Sequence, residues 1–273
     1  MLPFEDEVSD ILEKAAVGRR VGFRRVAEAL GVSVDRLRKF FDQPTPGELL
    51  IQVAERLHLD GAKLTALASG AVETLEIEVA GLRQVTQEFI GVSYPNATVN
   101  SYLIGIPDSG EVIAFDAGCR AEPILAYVEK HNLRIRALFL THTHRDHVGG
   151  YEHLLSAVED RLSYCPASEP FGDAHRLSDS SSLSIAGLTI KCIATPGHSP
   201  GGMSYGIVGL KEPIVVTGDA LLAASIGGVS SNLDAALQTI RSQLLSLPSA
   251  TVICPGHGPL SSIVREKKTN PFF

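Results

Sequence analysis

A dense cluster of candidate metal ligands follows an apolar stretch near the middle of the chain. The segment THTHRDHVGG contains His142, His144, Asp146 and His147 within six positions. Because side chains two apart in an extended segment point the same way, the two histidines of the HxH part can face one ion. The Asp-His pair beyond the bend can face a second ion. Imidazole and carboxylate ligands without a nearby thiolate suit zinc, iron or manganese. The alternative is a polar turn with solvated histidines.

Three later segments carry further histidines and an aspartate. They read TPGHSPGG, VTGDALLAASIGG and CPGHGPL, and they contain His198, Asp219 and His257. Taken with THTHRDHVGG, in this order, they resemble the HxHxDH signature and the later motifs of the metallo-β-lactamase superfamily. The resemblance covers roughly residues 82–273. It implies an α/β (α+β) fold of the αββα sandwich type and a metal-dependent hydrolase.

The resemblance also implies how the ligands divide between two divalent cations. The implied ligands are His142, His144 and His198 on the first cation, Asp146, His147 and His257 on the second, and Asp219 as a bridge. Zinc is the preferred cofactor, with iron or manganese as alternatives. Two cations that share a water lower its pKa to about 7 and generate a bridging hydroxide. Asp146 and Asp219 are the expected catalytic carboxylates, which hold or shuttle the proton.

The substrate class is indicated less directly. The run GDALLAASIGG and the C-terminal sequence resemble the glyoxalase II branch, whose members hydrolyse glutathione thioesters, and a small-molecule thioester is therefore expected. Members of that branch commonly carry an arginine where this chain reads SIGGV at 225–229. Only 16 residues follow His257, without the helical domain that contacts glutathione in longer members. The loop 220–232 is expected to form part of the substrate mouth and to be able to move over the site. Alternatives are a lactonase, a persulfide dioxygenase, an RNA-processing nuclease, or a transcription regulator whose lactamase-like domain senses a metabolite.

Composition sets the broad class of the protein. The chain has 273 residues, of which 44% are hydrophobic and 20% charged, as is typical of a globular protein. A net charge of −7 argues against a nucleic-acid surface over the whole molecule. Four scattered cysteines fit free thiols in a reducing compartment. The acidic start and the lack of a membrane-length apolar run predict a cytoplasmic protein without a membrane partner.

Residues 1–72 have a different pattern from the rest. Apolar residues recur at helical spacing and predict four or five short helices, with Gly31 closing one and Ser33 capping the next. This segment resembles the helix-turn-helix domains of phage repressors. The stretch 19–41 could contact DNA, because 19–39 hold seven basic residues and two acidic ones. The alternative is a small all-α domain used for packing or for homodimer formation.

Residues 73–273 form the predicted catalytic domain and are rich in short strands. The expected strands are Val99–Ile104, Val112–Phe115, Ile135–Leu140, Leu188–Ile193, Met203–Val208, Ile214–Thr217 and Thr251–Cys254. Helices are expected at Glu122–His131, Gly150–Val158 and Leu233–Leu245. Asp116 is expected either to orient a ligating histidine or only to form a turn before Gly118. Asn100 and Tyr102 are expected to be structural.

Overall fold

Two six-stranded sheets form the centre of the molecule in a computed structural model that describes residues 2–88 and 98–273. The first sheet, in spatial order, consists of β1 (Leu82–Glu88), β2 (Thr98–Ile106), β3 (Glu111–Phe115), β4 (Arg134–Phe139), β5 (Ser163–Pro166) and β6 (His175–Leu177). The second, also in spatial order, consists of β7 (Ser182–Ile185), β8 (Leu188–Ala194), β9 (Met203–Val208), β10 (Ile214–Gly218), β11 (Val252–Pro255) and β12 (Ser261–Ser262). Neighbours in space are therefore neighbours along the chain.

Strand direction brings the loops of interest to common sheet edges. In the first sheet β3 and β4 are parallel, with Phe115 opposite Phe139. In the second sheet β10 and β11 are parallel, and β8 runs the same way because β9 is antiparallel to both β8 and β10. The carboxyl ends of parallel strands meet at one edge of a sheet. The loops that follow these strands are therefore grouped together.

The two sheets pack face to face through a continuous apolar cluster. Phe115 and Phe139 of the first sheet contact Tyr205 of the second, with ring centroids 5.7 Å and 5.3 Å from the tyrosine ring. Aliphatic residues such as Ile190 and Val216 fill the same layer. Burial of this inner face stabilises the sandwich.

Helices cover the outer face of each sheet. The first sheet is covered by α6 (Glu122–Lys130) and α8 (Tyr151–Leu155), and the second by α9 (Leu233–Thr239) and α10 (Ile263–Thr269). A short helix, α7 (Arg145–Val148), lies between β4 and α8. The expected αββα sandwich is confirmed.

Five helices form the N-terminal part of the chain. They are α1 (Val8–Gly18), α2 (Phe23–Leu30), α3 (Val34–Asp42), α4 (Glu48–Arg56) and α5 (Gly61–Ala68). Their buried residues, such as Leu12 and Leu50, belong to the same apolar cluster as Leu237 and Ile263 of the outer helices on the second sheet. The N-terminal helices are thus attached through a shared core, and the division at residue 72 stays a prediction.

The turn between α2 and α3 has the local geometry expected from the sequence. Gly31 adopts a left-handed conformation with φ of 63°, and the Ser33 hydroxyl accepts a hydrogen bond from the Arg36 amide at 3.2 Å. Arg36 and Arg38 are exposed. Both cap predictions are confirmed, whereas contact with DNA stays a prediction.

Several elements differ from the sequence prediction. The helix expected at Gly150–Val158 is α-helical only over Tyr151–Leu155, and the one expected at Leu233–Leu245 changes to a π-helical turn at Ile240–Leu244. The strands β1, β5, β6, β7 and β12 were not expected. Most of these are two to four residues long, so their sequences carry too little alternation to identify them. Among the described residues, no helix has the length and apolarity needed to cross a bilayer.

Candidate metal centre

The strand ends place the predicted ligands around one point. His142 and His144 follow β4 in an extended segment, and the chain then enters α7, which carries Asp146 and His147. The pair beyond the bend is thus on a helical turn, which the sequence did not predict. The other three lie in the loops after β8, β10 and β11, which carry His198, Asp219 and His257.

One group of possible ligand atoms lies on the side of β4 and β8. It consists of His142, His144, His198 and Asp219, whose atoms all lie within 4.8 Å of one another. The His198 Nε2 atom is 2.9 Å from His144 Nδ1 and 3.2 Å from Asp219 Oδ2. These separations are suitable for donors that converge on one cation.

A second group, Asp146, His147 and His257, lies beside the first. The Asp146 Oδ2 atom is 3.3 Å from His257 Nε2 and 3.7 Å from His147 Nε2. Asp219 also reaches this group, because its Oδ2 is 3.2 Å from His257 Nε2 and its Oδ1 is 3.5 Å from His147 Nε2. The carboxylate of Asp219 therefore lies between the two groups, where the sequence predicted a bridge.

The histidine rings are oriented so that one nitrogen of each ring stays available. The Nδ1 atom of His147 donates to Asp116, and that of His142 donates to Thr141 Oγ1 at 3.0 Å. The corresponding atoms of His198 and His257 donate to backbone carbonyls. With Nδ1 used in this way, the Nε2 atom of each of these four rings faces the cluster, whereas His144 presents its Nδ1 to His198.

Three buried polar atoms in the cluster have no hydrogen-bond partner among the described residues. They are His142 Nε2, His147 Nε2 and Asp219 Oδ1. Unsatisfied buried polar atoms are rare, and three at one point indicate that a ligand satisfies them. The donors are imidazole and carboxylate, without a thiolate. The residues present therefore fit divalent cations such as zinc, iron or manganese.

Charge at the cluster also favours a cation. Burial alone raises the pKa of Asp146, but the hydrogen bond from His257 and the charge of His147 lower it to about 2. Burial lowers the pKa of His147, yet the charges of Asp219 and Asp116 raise it to about 10. The carboxylates thus create a potential that stabilises positive charge between the rings.

Asp116 orients His147 and the segment at Thr141 through hydrogen bonds. Its Oδ2 accepts from His147 Nδ1 at 2.8 Å and from Thr141 Oγ1 at 2.8 Å, and its Oδ1 accepts from the Thr141 amide at 2.8 Å. Asp116 is buried and has a φ of 57°, a strained value for a residue other than glycine. Of the two roles considered from the sequence, the structure shows the histidine-orienting one.

Asn100 and Tyr102 hold the turn that carries His257. The Asn100 amide donates to the carbonyls of Pro255 and Gly258 at 3.0 Å and 2.8 Å, and the Tyr102 hydroxyl donates to Pro255 at 2.7 Å. All three hydrogen bonds are made to backbone oxygens. The structural role expected for both residues is confirmed.

The loop after Asp219 is packed more tightly than its sequence suggested. Leu221, Leu222 and Ile226 are buried, so this loop is part of the core despite its small and polar residues. Its backbone is also bonded on two sides. Ala224 donates to Glu266 of α10 at 2.9 Å, and Lys14 of α1 donates to the carbonyl of Ile226 at 2.9 Å. Residues 221–226 are therefore packed into the core, contrary to the expectation from their composition, and movement of the loop over the site stays a prediction.

Sequence reasoning missed several residues next to the centre. Glu5 approaches His257 Nδ1 to 3.9 Å, and the neighbouring Asp6 is bonded to Lys14 and Ser225. Burial raises the pKa of Glu5. No motif marks these acidic residues, because they come from the N-terminal segment that precedes α1.

Glu169 is a further residue that the sequence did not reveal. It lies in the loop after β5 and accepts hydrogen bonds from the segments that carry His142, His144 and His198. Burial raises its pKa, but hydrogen bonds from Ser199 and Thr143 outweigh burial and lower it. Its only sequence signal is an isolated acidic residue in a turn-rich stretch.

Comparison with known proteins agrees with this fold. The sequence model of the Metallo-beta-lactamase superfamily matches residues 95–257, and the chain belongs to that superfamily. A probable metallo-hydrolase from Streptococcus pyogenes serotype M6 is 31% identical over 191 residues, which cover 59% of this chain and 81% of the relative. The protein therefore belongs to a superfamily of metal-dependent hydrolases.

A second relative and two solved structures are also similar. The hydroxyacylglutathione hydrolase of Salmonella dublin is 31% identical over 151 residues, which cover 55% of this chain and only 58% of that enzyme. ETHE1 from Myxococcus xanthus has a TM-score of 0.59 at 24% identity, covering 70% of this chain and 83% of its own, which shows the fold. TTHA1623 in a di-iron-bound form has a TM-score of 0.54 at 26% identity, covering 68% and 100%.

Proposed function

We propose that this protein is a dinuclear metal-dependent hydrolase of thioesters, similar in activity to hydroxyacylglutathione hydrolase. The observation that carries the proposal is the position of Asp219 between two groups of ligand atoms, within 3.2 Å of a histidine nitrogen in each. The proposed ligands are His142, His144 and His198 for one cation and Asp146, His147 and His257 for the other, with Asp219 shared.

The cations would supply a hydroxide nucleophile near neutral pH by lowering the pKa of water. The residues of the chain then have separate tasks. Asp219 would hold both groups together, and Asp146, which is ionised at neutral pH, would accept a hydrogen bond from the attacking water at its carboxylate. His147 is held in its tautomer by Asp116.

A protein nucleophile is not favoured by the surroundings of the thiols. Burial, followed by the charge of Asp146, raises the pKa of Cys119. Burial also raises the pKa of Cys254, which is fully buried. A thiolate would be disfavoured at both positions. This supports attack by water on the substrate.

Support for a thioester substrate comes from the relative that is 31% identical over 151 residues. The test is a panel of thioesters that includes S-D-lactoylglutathione, assayed with metal-loaded protein beside a lactone and a β-lactam. We expect turnover of a thioester. Asp219→Ala should lower kcat/KM by more than about 100-fold, because mutating residues that only hydrogen-bond to a metal ligand already lowers metal affinity or activity by about 10- to 100-fold. Asp42→Ala, at an exposed position on α3, is the matched control. Turnover of the lactone or β-lactam alone would contradict the thioester assignment.

A further inference from the structure

We propose that Glu169 is a positioning residue that sets the cation affinity of the first ligand group and leaves the second unaffected. The first group is His142, His144, His198 and Asp219. This inference rests on the proposed metal-binding role of those side chains. It assigns a role to a carboxylate that is not itself among the candidate ligands.

One oxygen of Glu169 fixes the segment after β4. Its Oε1 atom accepts hydrogen bonds from the Thr143 amide at 2.7 Å and from the Thr143 hydroxyl at 2.6 Å. Thr143 lies between His142 and His144. Holding its backbone and side chain together keeps this segment extended, and the two flanking rings then point the same way.

The other oxygen fixes the loop after β8. Its Oε2 atom accepts from the Ser199 hydroxyl and from the Gly201 amide, the latter at 2.9 Å. Ser199 directly follows His198. A side chain at Gly201 would place its Cβ 2.4 Å from the Cβ of Glu169, so glycine is required for this close approach.

A single carboxylate therefore joins two loops that come from different sheets. His144 follows β4 of the first sheet and His198 follows β8 of the second, yet their ring nitrogens are 2.9 Å apart. Among the described residues, the second group is held by other contacts, including those of Asp116 to His147 and of Thr98 to His257. Loss of the Glu169 contacts should therefore disturb the three histidines of the first group and leave the histidines of the second group in place.

The chemistry of the contact makes a sensitive test available. Four donors converge on the two oxygens of Glu169, so both oxygens must act as acceptors. In Glu169→Gln the amide nitrogen would face two of those donors, although the side chain keeps its size. This variant therefore disrupts one of the two attachments without creating a cavity.

The experiment is a titration of metal-free protein with Zn²⁺ by calorimetry, repeated with Co²⁺ by absorption spectroscopy. In Glu169→Gln we expect one binding step to weaken by about 10- to 100-fold and the other to stay within about twofold of wild type. Ser199→Ala, which removes a single donor, should weaken the same step by less, and it serves if Glu169→Gln does not fold. Glu152→Gln, at a side chain that is 76% exposed, is the matched control.

The outcomes separate this inference from the proposed function. Equal weakening of both binding steps in Glu169→Gln, or an unchanged titration, would overturn the positioning role of Glu169. Binding of the cation by wild-type protein would still support the metal centre in either case. A purely structural role would lower the unfolding temperature of the metal-free protein and weaken both steps alike. If the wild-type protein binds neither cation, both proposals fail.

Discussion

The choice of ring nitrogen is the main feature of the candidate centre at the scale of single residues. Thr141 and Asp116 accept from the Nδ1 atoms of His142 and His147, so the Nε2 atoms are turned inward. The HxHxDH spacing predicted which residues meet, because side-chain direction along a short segment is a local property. It did not predict the acceptors on the far side of each ring.

A prediction at this scale concerns the arginine that the glyoxalase II branch has and this chain lacks. A Cβ at Gly228 would meet nothing within 4 Å, and the Gly228 carbonyl is 3.1 Å from His198 Nδ1, so a side chain there lies near the centre without a clash. Gly228→Arg should lower the KM for a glutathione thioester by roughly two- to fivefold, because an exposed ion pair contributes about 0.5 to 1 kcal/mol to binding.

The control for this change is Gly228→Gln, which adds a long side chain without charge and should leave KM unchanged. Metal content should be equal in all three proteins. Identical KM values for wild type and Gly228→Arg would show that this loop does not select the thiol part of the substrate.

At the scale of elements, loops that looked free in the sequence are fixed by distant segments. Ser225 is bonded to Asp6, 219 positions away, and Ala224 to Glu266, 42 positions away. Composition alone suggested a mobile loop after Asp219, since small and polar residues usually mark one. Only the tertiary structure reveals the partners that bury it.

The carboxyl that holds this loop from α10 gives a second prediction. Burial raises the pKa of Glu266 from its ordinary value of 4.5 to about 7. The folded state therefore binds this proton more tightly than the unfolded state does, and the free energy of unfolding falls as pH rises from about 4.5 to 7. At pH 8 the free energy of unfolding has fallen by on the order of 3 kcal/mol, because a shift of one pKa unit corresponds to about 1.4 kcal/mol.

Glu266→Gln resembles the protonated acid and should remove this loss. Urea unfolding at pH 5 and pH 8 should show the variant gaining stability relative to wild type at the higher pH. Glu129→Gln, at an exposed position on α6, should leave the pH dependence as in wild type. If the free energies of unfolding of Glu266→Gln and wild type differ by the same amount at both pH values, the raised pKa of Glu266 would be contradicted.

The α2–α3 pair was predicted correctly for a local reason. Gly31 and Ser33 determine the turn through their own conformations, and neither depends on distant contacts. Arg36 and Arg38 of α3 are exposed, and their contact with DNA stays a prediction.

At the scale of the whole molecule, the sequence predicted the sandwich because strand-end motifs occur in a fixed order along it. It did not predict how the N-terminal helices are attached. Leu12 and Leu50 belong to the same apolar cluster as Leu237 and Ile263, and Glu5 reaches to within 3.9 Å of His257. Such long-range packing leaves no signature in local periodicity. The N-terminal part therefore packs against α9 and α10 and reaches the candidate metal centre at His257.

The central claim is that seven side chains from the four segments that follow β4, β8, β10 and β11 form one dinuclear centre. Elemental analysis of wild-type protein, purified under metal-replete conditions and compared with protein concentration, tests it most directly. We predict two divalent cations per chain, since Asp219 reaches histidine nitrogens of both groups at 3.2 Å. A content of one cation or none per chain would contradict the dinuclear centre.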